Sequence, residues 1–201
     1  MVSFSQTDPT NKEHKKERAQ ERKVAEENIL LMKEGVLLVR LDFKQKEIAY
    51  FEKYDNTKEA NKIKKKQNEI NQYIIDSFDS LFQFCPVYFF STKDSRNILE
   101  GRMNEVVFFN LQCKPDSMIK WEGASFFIAE FGRIEGDTTL EERSKFSAAA
   151  LIIRSSNFKQ LRDPFPYYSI YHEWGIKKKK FRMPTRRMSE NLDLFYKKVK
   201  I

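Results

Sequence analysis

The chain has 201 residues, enough for one well-cored domain and short for two. Hydrophobic residues at 40% and aromatic residues at 14% exclude a chain disordered throughout, and no run approaches the roughly 20 apolar residues of a membrane helix. The net charge of +8 is unevenly placed: residues 1–146 hold 24 Lys and Arg against 25 Asp and Glu, residues 147–201 hold 13 against 4, so any polyanion contact belongs to the last quarter.

In chain order, MVSFSQ sets Ser3 and Ser5 where the small residues of a secretion signal stand, with cleavage before Gln6. Residues 1–6 read as the remnant of such a signal, with an ordinary cytoplasmic start as the alternative. Residues 7–33 alternate in charge with few apolar anchors before Ile29, which suits a solvated helical leader rather than core. Residues 34–201 then read as a single α/β domain.

GVLLVRLDF (35–43) is a short, β-rich apolar run, hence a buried strand. Ile48, Phe51 and Tyr54 keep helical spacing up to a break at Asp55-Asn56. Asn56 or Thr57 caps a second helix carrying Ile63, Ile70, Ile74, Phe78 and Leu81, so 44–82 forms an αα-hairpin crossover. Cys85 to Phe90 is the next strand, with Pro86 at its start because proline cannot donate within a ladder. A short helix near 94–100 and a strand at Val106–Phe109 follow. Apolar runs at Trp121–Phe131 and Ala148–Ile153 supply two more strands. Runs apolar on both faces belong to a sheet covered on both sides. The expectation is a three-layer α/β sandwich around a mixed, centrally buried sheet, its first three strands parallel and its last two antiparallel. LRDPFPYYSIYHEW suits an edge strand or packed loop, KKKKFRMPTRR a basic loop, and SENLDLFYKKV a C-terminal amphipathic helix capped by Ser189.

The succession GVLLVRL, FCPVYFF, VVFFN, FFIAEFG and ALIIRSSNFKQLRDPFPYY resembles an uncharacterised family of exported proteins of Bacteroidota-type bacteria, over roughly residues 28–198. The resemblance implies a signal peptide and a periplasmic or envelope location, and carries over no activity or ligand. The stretch between Asp137 and Ala148 is shorter here than the family pattern.

Three charges stand inside apolar runs: Arg40 in LLVRL, Glu130 in FIAEF and Arg154 in LIIRS. A lone buried charge costs several kcal/mol, so these pair with one another or line a strand-end pocket. If their strands are neighbours, Glu130 can bridge the two arginines. Structural pairing predicts the three buried and mutually satisfied. Small-anion binding or catalysis predicts a concave pocket there. His14 and His172 have no second histidine or cysteine at metal-ligand spacing, and there is no GxSxG, GxGxxG or Walker lysine. No catalytic residue, metal or cofactor is therefore assigned. Lys177, Lys178, Lys179, Lys180, Arg182, Arg186 and Arg187, with Phe181 among them, form a candidate polyanion contact. A solvated loop is the plainer account of that run. The expected partner is an anionic envelope surface or a protein; nucleic acid becomes the partner only if the chain stays in the cytoplasm. The readings are thus a non-enzymatic envelope binding or structural module, a small-anion binder or enzyme at the arginine–glutamate trio, and a cytoplasmic nucleic-acid binder.

Overall fold

The computed structural model describes residues 9–123, 125–135, 148–172 and 177–200, with the side chains of 9–13 and 177 outside the description. The hexapeptide read as a signal remnant and most of the short Asp137–Ala148 stretch lie outside the described residues. The elements are α1 (Pro9–Glu34), β1 (Val36–Leu41), α2 (Gln45–Lys53), α3 (Thr57–Leu81), β2 (Val87–Ser91), α4 (Ser95–Leu99), β3 (Phe108–Phe109), β4 (Phe126–Arg133), β5 (Ala149–Arg154), β6 (Tyr168–Ile170) and α5 (Lys177–Val199). They build one mixed sheet in the order β3-β2-β1-β4-β5-β6, the middle layer of a three-layer α/β sandwich.

Strand alternation makes two cores. Leu37, Val39, Phe89, Phe127, Ala129, Leu151 and Ile153 face α1, α3 and α5, where Phe78, Met188 and Leu192 meet them. Val36, Leu38, Phe90 and Ile128 face the other way, under α4 and the irregular segments bearing Met103, Trp121 and Phe158. That second outer layer is thin. The crossover from β1 to β2 is the expected hairpin: Asn56 accepts from the Glu59 backbone N–H, and the first half of α3 is mostly exposed. Gly35 joins α1 to β1 where a Cβ would collide with the carbonyl oxygen of Ser125.

Three expectations need correction. The strand at Val106–Phe109 shrinks to Phe108–Phe109 and pairs antiparallel, not parallel, with β2. Its connection contains α4, whose five residues rise only about 7.5 Å, too short to return along a strand of about 16 Å. β1 is parallel to β2 and β4 antiparallel to β5, as expected; β4 also pairs parallel with β1, a neighbour the sequence does not assign it. Extending the β2–β3 register would set Cys113 opposite Cys85, but the chain turns back at Asn110–Lys114 and both thiols are free.

Second, the basic stretch is no loop. α5 runs unbroken from Lys177 through Pro184, and Ser189 is not its cap but a buried mid-helix residue accepting from the Gln83 N–H at 3.1 Å. An interior proline costs about 3 kcal/mol. Burying Phe181, Met188 and Leu192, each worth about 1.5–3 kcal/mol, outweighs that. The buried Thr185 hydroxyl, next to Pro184, donates to the Phe181 carbonyl. Third, α1 is not wholly solvated: Ala25, Ile29 and Met32 form one stripe buried in the main core.

Candidate functional site

β1, β4 and β5 bring the three embedded charges together. Arg40 shares its face of β1 with Val36 and Leu38; Glu130 follows Ile128, and Arg154 follows Ile152. Arg40 Nη1 donates to Glu130 Oε2 at 2.7 Å, and Arg154 Nε donates to Glu130 Oε1 at 2.6 Å. One carboxylate thus bridges both guanidiniums. A second carboxylate completes the balance, with Arg154 Nη1 donating to Glu135 Oε1 at 2.6 Å and to the Phe158 carbonyl at 3.1 Å.

The segment after β5 closes over this cluster. Phe158 adopts a left-handed φ of 63°, and its ring centroid lies 5.6 Å from the Arg40 guanidinium carbon. Gln160 clasps the Glu135 backbone, accepting from its N–H and donating to its carbonyl. Burial pulls the Arg154 pKa down, but Glu135 and Glu130 together outweigh it and the net shift is upward. Two cations and two anions sum to zero, and each arginine already spends guanidinium donors on carboxylate. Arg40 Nε is the one buried side-chain polar atom without a partner among the described residues.

The cluster lines no part of the cavity of about 280 Å³ between α1 and residues 160–165, whose apolar walls are Val24, Ala25, Leu161 and Phe165. His14 is exposed and sits 3.8 Å from Glu17; His172 is exposed at the far end of β6. Cys85 is buried in the main core, where desolvation pushes its thiol up to about 12, against a small opposing effect of Lys33. Burial raises the half-buried Cys113 as well.

The basic residues behave differently. Lys178, Lys179, Arg186 and Arg187 stand exposed on α5, and no carboxylate pairs with them among the described residues. Lys180 packs over the Tyr171 ring at 5.1 Å, and Arg182 donates to the Ser80 hydroxyl at 3.1 Å. The Lys177 side chain lies outside the described residues. Phe181 turns inward, 5% exposed and edge-on to Phe131, so it offers no face to a partner.

Sequence reading missed Glu135, which follows the end of β4 in a stretch without periodicity. It also missed that Lys197 and Lys198 continue the exposed face of α5. The signal for the second was an apolar stripe running through Pro184 at helical spacing: 181, 188, 192, 195.

Compared with protein-family models, with curated proteins and with solved structures, the chain matches none.

Proposed function

We propose that the protein is a non-enzymatic binding module of the bacterial envelope, with the exposed face of α5 as its contact surface and an anionic partner. One observation carries this reading: a single helix gathers Lys178, Lys179, Arg186, Arg187, Lys197 and Lys198, unpaired among the described residues, on its solvent side, while its apolar side holds it against the core. The envelope location rests on the family resemblance and on the signal-like Ser3 and Ser5 before Gln6. Small-anion binding or catalysis at Arg40, Glu130 and Arg154 has less support, since Glu130 and Glu135 already neutralise both guanidiniums. Nucleic-acid binding loses the stacking ring that Phe181 would have supplied.

The test is titration with long-chain polyphosphate at low and high salt. Arg186→Glu with Arg187→Glu weakens binding by about tenfold or more. The same charge change at Lys64 and Lys65, exposed on α3, has a much smaller effect. Equal losses from both pairs would mean that net charge, not this face, binds. The native protein's N-terminus tests location: Gln6 supports export, and Met1 overturns it.

A further inference from the structure

We infer that the outer ridge of α5 docks the protein on a bilayer rich in anionic phospholipid, its cations on the phosphates and its two exposed apolar side chains in the headgroup layer. This rests on the anion-contact reading above and names its partner.

Two large apolar side chains of α5 face solvent, Met183 at 45% and Leu194 at 57% exposure. Eleven residues separate them, three helical turns to within about 20°, so they share one ridge about 16 Å apart. Lys179 lies one turn before Met183, and Arg186 and Arg187 one turn after it. Lys197 and Lys198 lie one turn after Leu194. On this ridge five cations, Lys179, Arg186, Arg187, Lys197 and Lys198, stand against one acid, Glu190, which lies between Met183 and Leu194. Asp76 and Asp79, exposed on the neighbouring α3, bound the patch on that side.

This pattern fits an interface better than a polymer. A bilayer surface draws cations electrostatically and also accepts apolar side chains among its headgroups. A nucleic acid gives Met183 and Leu194 nothing to enter, and the aromatic side chains of α5 that could stack bases (Phe181, Phe195 and Tyr196) pack against the core instead. From Lys179 to Lys198 the cationic ridge spans about 28 Å along the helix axis, so its charges can reach several headgroups at once. Among the described residues no helix is long and apolar enough to cross a membrane, so the contact lies on the surface.

The experiment is co-sedimentation of the full chain with vesicles of equal parts phosphatidylglycerol and phosphatidylcholine, beside pure phosphatidylcholine vesicles and soluble polyphosphate. The protein sediments with the anionic vesicles, does not sediment with the neutral ones, and is released by about 1 M salt. Arg186→Glu with Arg187→Glu lowers vesicle partitioning about tenfold or more. Met183→Ser with Leu194→Ser lowers vesicle partitioning severalfold and leaves polyphosphate binding unchanged. Leu194→Trp shifts its emission to the blue on anionic vesicles. All variants keep the wild-type circular dichroism, since every substituted side chain is exposed. Polyphosphate or oligonucleotide binding without vesicle binding overturns the bilayer and spares the anion-contact reading. Vesicle binding indifferent to Met183 and Leu194 overturns the apolar half of the ridge. No binding to any of the three overturns both readings.

Discussion

The cluster around Glu130 and the outer face of α5 are both rich in arginine, yet they handle charge in opposite ways. Arg40 and Arg154 sit on the sheet with side chains 29% and 11% exposed, and each has a carboxylate within 2.7 Å. Arg186 and Arg187 stand in water with none among the described residues. The difference is solvation. A guanidinium removed from water costs several kcal/mol unless a counter-charge replaces its hydration. A hydrated one costs nothing to leave unpaired, and its field remains available to a partner. The first region therefore contributes to fold integrity, and the second leaves its field free for the contact proposed above.

Breaking the first region should have the largest effect. Glu130→Ala leaves Arg40 and Arg154 side by side without their shared carboxylate, and costs about 3 kcal/mol in denaturant unfolding with an unchanged slope. Arg154→Ala removes a donor from Glu130 and from the Phe158 carbonyl, but it keeps the Arg40–Glu130 pair and the Glu135 it frees is 63% exposed, so it costs about 2 kcal/mol. Unaltered stability in either variant would dissolve the contrast and return the trio to the status of a binding site.

Cys85 sharpens the comparison as a buried group for which desolvation outweighs its nearby cation, Lys33. Its folded pKa of about 12 lies above the ordinary 9.0, so the native state holds its proton where the unfolded chain releases it. The stability this contributes is intact below about pH 9 and declines as pH rises towards 12. Alkaline unfolding measured for Cys85→Ala should be less steep than for the wild type. Thiol labelling at neutral pH should reach half-buried Cys113 before Cys85, by about tenfold or more in rate.

The smallest expected change in stability is that of Arg186→Glu with Arg187→Glu, within about 0.5 kcal/mol by thermal or denaturant unfolding. A larger loss would mean that this face also supports the fold.

The trio was legible because a charge inside an apolar strand demands a partner, and Glu130 lies between the two arginines once β4 sits between β1 and β5. Glu135 was not legible, because its role depends on how the segment carrying Phe158 and Gln160 folds back over the sheet. The α5 cations were found by composition, but their shared face was hidden by Pro184, which reads locally as a break.

From the sequence alone came the strands, their two-faced burial, the helical hairpin at 44–82, the need to neutralise Arg40 and Arg154, and the confinement of excess charge to the last quarter. Local pattern suffices there, since side-chain period and the cost of burying charge act within a few residues. The tertiary structure decided the direction of β3, the recruitment of Ala25, Ile29 and Met32 into the core, and the continuity of α5. In α5, a proline penalty of about 3 kcal/mol competes with the burial of a whole apolar stripe. Only the assembled fold, which supplies the surface that stripe buries against, determines which term wins.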